Sequence, residues 1–152
     1  MRIVFCGTAA GRKSEELKMY YAGRGNKFWH TLNEVGLIPK ILSPSEYSEL
    51  PKYGIGLTDL VKTQFGMDHQ IDFTIDGSEK LQSTVTEFAP SILCFNGKRA
   101  AEQFLGRSVA YGLQPECIGS TKLFVAPSSS GAAQRSWDVR YWIEVAELSR
   151  LR

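Results

Sequence analysis

Leu123-Phe124-Val125-Ala126-Pro127-Ser128-Ser129-Ser130-Gly131 is the stretch on which the reading of the fold turns. Its four consecutive apolar residues, preceded by Lys122, read as a short strand buried in a sheet. The Pro-Ser-Ser-Ser-Gly that follows is small, uncharged and rich in backbone N–H groups, so a polar or anionic group could approach its main chain closely. A buried strand that opens into such a loop supplies half of a binding site.

Other runs repeat the pattern. Arg2-Ile3-Val4-Phe5-Cys6 leads into Gly7-Thr8-Ala9-Ala10-Gly11, and Ser91-Ile92-Leu93-Cys94-Phe95 turns at Asn96-Gly97. Ile55 to Val61 alternates in the manner of a strand and precedes a polar loop, Lys62 to Gln70. Helices fit between them. Lys27 to Val35 places Phe28, Leu32 and Val35 at i, i+4 and i+7 before a stop at Gly36. A short helix is predicted over Pro44 to Leu50, ended before Pro51, and others over Gly77 to Phe88 (Leu81, Val85, Phe88) and Lys98 to Phe104. The last, about Ser136 to Leu151, carries a stripe of Trp137, Tyr141, Val145 and Leu148. Residues 106–121, with Pro115 and two Gly-containing turns, read as irregular chain or a short hairpin.

Alternating strands and helices predict a three-layer α/β/α domain with a central, mainly parallel four-stranded sheet, spanning residues 1–152 as one unit. In such sheets ligands bind beyond the carboxyl ends of the strands. That rule gathers Gly7–Gly11, the Thr58/Asp59 region, Asn96-Gly97-Lys98 and Pro127–Gly131 into one site.

Composition narrows the function classes. The 152 residues are 43% hydrophobic and 22% charged, which suits a packed domain and argues against disorder. A net charge of +2 does not by itself imply a polyanionic partner, so nucleic-acid contacts need a local cluster. Arg12, Lys13, Lys18, Arg24 and Lys27, interleaved with Tyr20 and Tyr21, supply one. This segment reads either as an exposed loop or as a surface that meets a nucleic-acid backbone and offers a ring to an unstacked base. Lys98, Arg99, Arg107 and Arg135 are expected near the same sheet edge.

No run approaches the ~20 apolar residues of a membrane span and no basic leader opens the sequence, so the expectation is a soluble cytoplasmic protein without membrane contact, nucleoid-associated if bacterial. Cys6, Cys94 and Cys117 are odd in number and isolated, which supports neither a disulfide framework nor a cysteine-ligated metal or iron–sulfur site. His30, read as a partly packed helix residue, and His69 have no ligand pattern around them, so neither metal nor cofactor is expected. Gly7–Gly11 lacks the Lys-Ser/Thr of a P-loop and the full Gly-x-Gly-x-x-Gly of a dinucleotide fold.

Taken in order, the segments resemble the uracil-DNA glycosylase superfamily over nearly the whole chain, specifically its mismatch-specific uracil, thymine and hypoxanthine branches. Gly7-Thr8-Ala9-Ala10-Gly11 sits where that family has its first motif, Gly-x-Asn-Pro-Gly in the mismatch-specific enzymes. Tyr20-Tyr21 followed by Asn26-Lys27-Phe28-Trp29 is similar to the hypoxanthine-type segment. Residues 53–59, Phe95-Asn96-Gly97-Lys98 and Pro127-Ser128-Ser129-Ser130 are similar to thymine-type segments.

The resemblance implies a monofunctional DNA glycosylase of base-excision repair. It would flip a damaged base out of the duplex and hydrolyse its glycosidic bond, with uracil as substrate and hypoxanthine as a second candidate. It implies base contacts from Gly7, Thr8, Ala9, Tyr21, Phe28 and Asn96, with Tyr21 stacking on the base, and DNA contacts from Lys98, Ser129, Ser130, Gly131, Ala132 and Arg135. Catalysis is assigned to Asn26 and Ser128, acting as a monomer on uracil-containing DNA. Two positions depart from the family. Ala9 replaces the Asn that positions the attacking water, so Asn26 is the substitute. Ala132 replaces a larger wedge, so Gln134 or Arg135 fills the gap, or single strands and G·U mismatches are favoured over A·U pairs. Two further readings remain open: a weakly catalytic protein of the same fold that binds uracil or abasic sites, and a Rossmann-like nucleotide enzyme with no DNA partner.

Overall fold

Side chains along a strand point alternately to the two faces of its sheet, and here both sets are apolar. A computed structural model describes residues 1–8, 20–23, 25–60 and 77–151. In β1 (Ile3–Gly7) Ile3 and Phe5 enter one core while Cys6 enters the other, and β3 (Ile92–Asn96) divides Ile92 and Cys94 from Leu93 and Phe95 in the same way. β5 (Thr121–Ala126) sends Phe124 and Ala126 to the first core and Leu123 and Val125 to the second. Both faces therefore need helices.

The first core is covered by α1 (Phe28–Glu34), through Phe28, Trp29 and Leu32, and by α4 (Val139–Ser149), through Trp142, Val145 and Ala146. α2 (Ser78–Phe88) covers the second with Leu81 and Val85, and α3 (Lys98–Leu105) with Ala100 and Ala101. The expected three-layer α/β/α arrangement is what forms. Among the described residues no helix is long and apolar enough to cross a membrane.

The sheet order is β2-β1-β3-β5-β4, with β2 spanning Ile55–Asp59 and β4 Gly112–Ile118. Every pairing is parallel except β4 with β5. The sheet thus has five strands, the fifth being the antiparallel edge that the sequence left as irregular chain or hairpin. Its pattern is inverted: Gln114 is buried and Leu113 exposed, and Arg107 reaches the Gln114 amide.

Other details shift the elements read from sequence. The 3-10 segment Pro44–Tyr53 passes through Pro51 and stops at Gly54, whose φ is 75°; proline's fixed φ is compatible with such a turn. Phe88 is 61% exposed rather than part of the α2 core stripe, and His30 is exposed rather than partly packed. The final helix begins only at Val139, capped by Asp138, after 3-10 turns over Gly131–Ser136. Its buried centre is Trp142 with Val145 and Ala146; Trp137, Tyr141 and Leu148 flank it. Ala9, Ala10, Gly11, Arg12, Lys13, Lys18, Arg24 and the 62–70 loop with His69 lie outside the described residues.

Candidate nucleic-acid and base site

From β1 the chain crosses to β2 on one side, and from β3 it proceeds to β5 on the other. The carboxyl ends of β1 and β3 therefore flank the point where the strand order reverses, which is where α/β sheets bind ligands. Gly7 ends β1 in register with Asp59 of β2, and Asn96 ends β3 in register with Ala126 of β5.

The best-held relationship at this edge joins Asn96 to Ser129. Asn96 Nδ2 donates to Ser129 Oγ at 2.9 Å, and the Ser129 backbone N–H donates to Asn96 Oδ1 at 2.9 Å. Both atoms of one amide thus engage one residue, closing a ring on the edge that would otherwise read a ligand. The carbonyl of Ser129 then accepts from the Lys27 backbone N–H at 2.8 Å, which ties the Asn26-Lys27 segment to the serine loop. Behind the loop, Trp142 Nε1 donates to the Pro127 carbonyl at 3.0 Å. Three elements distant in sequence are locked to one tripeptide.

The serines consequently differ in role. Ser129, expected on DNA, is 1% exposed and its hydroxyl is engaged by Asn96, so it organises the loop from inside instead of meeting a phosphate. Ser128 and Ser130 are half-buried, and their Oγ atoms accept from the backbone N–H groups of Ser130 and Ala132, each at 3.2 Å. Their hydroxyl protons are left to donate. Gly131 is half-buried, and Ala132 and Arg135 are exposed. Lys98 opens α3, its Nζ 4.4 Å from the centroid of the Tyr111 ring.

On the other side of the site Tyr21 packs on Phe28 with centroids 4.1 Å apart. Phe28, expected to touch the base, is fully buried among Phe5, Trp29 and Trp142 and offers no surface to a ligand; it serves as the wall behind Tyr21. Tyr21 has a φ of 53°, a conformation that costs a residue with a side chain about 1–2 kcal/mol. Strain of this kind collects at functional sites. Burial first, and the charge of Asp59 second, hold its phenol well above the ordinary tyrosine range; the nearby Asn96 amide works weakly in the opposite direction.

Asn26 does two things with its position. Its Oδ1 accepts from the Phe28 backbone N–H at 3.0 Å, ordering the entry to α1, and its side chain stays half-buried next to the loop. Gly7 is buried and Thr8 half-buried at the end of β1. Asn96, Ser128 and Tyr21 are thus brought to one edge with Gly7 and Asn26, as the strand-end rule required, while Ala9 falls outside the described residues.

A model of the uracil DNA glycosylase superfamily matches residues 1–146 of the 152-residue chain. The chain belongs to the uracil DNA glycosylase superfamily. The superfamily acts on DNA in base excision repair, and a DNA glycosylase-type function follows for this chain. Membership also agrees with the layered, mostly parallel fold.

Sequence reasoning assigned no role to Asp59 or Tyr20 individually. Tyr20 stands beside Tyr21 with ring centroids 6.4 Å apart, and burial and the Asp59 charge that shift Tyr21 also raise the Tyr20 phenol. The signal available was the β2 register: a strand parallel to β1 and ending opposite Gly7 must deliver Asp59 to the glycosylase edge.

Proposed function

We infer that the chain is a monofunctional DNA glycosylase that excises uracil from deaminated DNA, with hypoxanthine as a second substrate. The observation that carries this reading is the Ser129 junction, which joins the Tyr21–Phe28 segment, the end of β3 and the serine loop at one strand edge. A base-excising enzyme needs those parts together: a wall for the extruded base, a grip on the flanking phosphates, and polar groups near C1′.

In this reading the base leaves as an anion while the sugar gains oxocarbenium character. Donors fixed before reaction stabilise the departing charge without reorganising. The half-buried Ser128 and Ser130 hydroxyls, held by main-chain N–H groups, are suited to phosphate oxygens, and Lys98 and Arg135 add charge. Tyr21, backed by Phe28, supplies the aromatic wall. Ala132 is too small to fill the gap left by a flipped base, which favours single strands and G·U mismatches over A·U pairs. A monomer acting in the cytoplasm is sufficient for this chemistry.

A second reading is supported by Asn26, whose carbonyl oxygen already accepts from the Phe28 N–H and so keeps a single lone pair for water. It takes the protein as a weakly catalytic binder of uracil or abasic sites. Incubation with uracil, hypoxanthine, xanthine and thymine lesions in single- and double-stranded oligonucleotides, followed by alkali, separates the two. Strand scission at uracil supports excision; tight binding without scission supports the binder; neither one defeats both.

A further inference from the structure

Hydrolysis of a glycosidic bond needs an acceptor for the proton of the attacking water. Among the described residues, few groups at this edge can serve. Ala9, outside the described residues, carries only a methyl side chain. Asn26 Oδ1 is held by Phe28 N–H, and the Asn96 amide is closed on Ser129. Ser128 and Ser130 carry no charge, and Asp138 is bound to Arg140 while it caps α4.

Two observations point elsewhere. Oδ1 of Asp59 lies 3.2 Å from the position a Cβ on Gly7 would take, and Tyr21 Oη lies 3.5 Å from the same position. A carboxylate and a phenol therefore converge over one bare main-chain position at the end of β1. Second, Tyr21 Oη is buried and, among the described residues, no group completes a hydrogen bond of good geometry with it. A buried hydroxyl left in that state costs about 1–3 kcal/mol, a cost that a ligand or water hydrogen-bonded to it would relieve.

We propose that Asp59 is a catalytic residue of this glycosylase: its carboxylate orients the attacking water and takes its proton. The inference rests on the glycosylase reading above. The bond from C1′ to the base nitrogen breaks, and its electron pair leaves with the base. Water oxygen bonds to C1′, one water proton passes to Asp59, and that proton is then released to the base anion or to solvent. Products are the free base and an abasic sugar, with no oxidant or metal consumed.

The surroundings suit the role. A carboxylate offers about four lone-pair sites, so the contacts Asp59 already makes leave room for water. A negative charge held beside the sugar would favour the positive charge that develops there. The groups that face it are Tyr20 and Tyr21, and Cys6 of β1 is close to both rings. Both phenols are held above the ordinary tyrosine range, so neither serves as a base near neutral pH.

The test compares the unmodified protein with Asp59→Asn and Asp59→Glu. Uracil release is measured in single turnover from a uracil oligonucleotide, and affinity with an oligonucleotide carrying a non-cleavable 2′-fluoro analogue of deoxyuridine. Asp59→Asn is expected to slow release by about 100-fold or more, the scale of a positioned general base, while affinity changes by less than about threefold, a shift worth under 1 kcal/mol. The acidic limb of the pH–rate profile should vanish in Asp59→Asn and persist, with partial activity, in Asp59→Glu. Release by Asp59→Asn at the unmodified rate overturns the proposal, as does a parallel loss of affinity and rate, which would mark a structural role. Absence of release from the unmodified protein defeats the uracil-excision reading and this inference together, and is seen before any variant is compared.

Discussion

Asn96 and Ser129, 33 residues apart, close a two-bond ring in which each residue satisfies the other at 2.9 Å. This ring joins two separate strand-end loops into one edge, and it explains why Ser129 is buried between the half-buried Ser128 and Ser130. Its removal has a calculable cost.

Asn96→Ala strands the Ser129 N–H and hydroxyl where water reaches them poorly, since Ser129 is 1% exposed. A buried group without its partner costs about 1–3 kcal/mol, so the variant should lose about 2–3 kcal/mol in urea unfolding. Uracil release should fall further than stability alone explains, because Ser128 and Lys27 lose their common anchor. Wild-type stability in the variant would show that the ring contributes nothing.

Trp142→Phe tests the rear of the same loop. Trp142 is fully buried, stacks on Phe5 with centroids 5.4 Å apart, and donates Nε1–H to the Pro127 carbonyl. Phenylalanine keeps an aromatic ring but leaves that carbonyl unpaired and a small void, together about 2–4 kcal/mol. The denaturation midpoint should drop, and single-turnover release should slow as the Pro127–Gly131 loop loosens. A variant with an unchanged midpoint would place the loop's support elsewhere.

Legibility in the sequence followed the strength of the local pattern. The runs ending at Phe5, Phe95 and Ala126 are apolar on both faces and short, and only a covered parallel strand satisfies them. β4 gave no such signal because it buries Gln114 and exposes Leu113, is interrupted by Pro115, and shifts register between Leu113 and Cys117. An edge strand has one side unpaired and tolerates all of this. In α4 the sequence stripe centred on Tyr141, whereas Asp138 caps the helix one turn later and Trp142 is the fully buried ring. The site's location followed from strand ends and small residues. Its internal wiring did not, since a Ser129–Asn96 ring has no local sequence signature, and neither Phe28 facing inward nor Asp59 meeting Tyr21 over Gly7 could be read without the register.

Alkaline pH should destabilise the fold. Burial, then the Asp59 charge, raises the Tyr21 phenol well above its ordinary 10.0, and burial, then Cys6, raises the Cys94 thiol above its ordinary 9.0. The unfolded chain releases these protons from about pH 9 upward while the folded chain retains them. The folded state then binds more protons, so unfolding free energy falls with rising pH. The contribution is intact below pH 9 and is lost progressively above it. Urea unfolding at pH 8, 9.5 and 11 should show the decline, and Tyr21→Phe should flatten the part above pH 10. An equal decline in Tyr21→Phe would remove that phenol from the account.

Gly7→Ala separates the chemistry of the site from its architecture. Gly7 is not among the glycines with positive φ, so alanine meets no backbone strain there. Its methyl would stand 3.2 Å from Asp59 Oδ1 and 3.5 Å from Tyr21 Oη, both ends of side chains that can yield by a few tenths of an ångström. Stability should change by less than about 1 kcal/mol, the gain from a stiffer unfolded chain offsetting mild crowding. Base release should fall by about tenfold or more, because the methyl occupies the space between carboxylate and phenol. Gly97→Ala provides the contrast. Gly97 has a φ of 103°, and an added Cβ would meet the Ser128 Cβ at 3.2 Å. That variant should lose about 1–3 kcal/mol of stability along with activity. If Gly7→Ala instead loses stability and activity in the proportion shown by Gly97→Ala, the gap over Gly7 is packing space and not part of the reaction site.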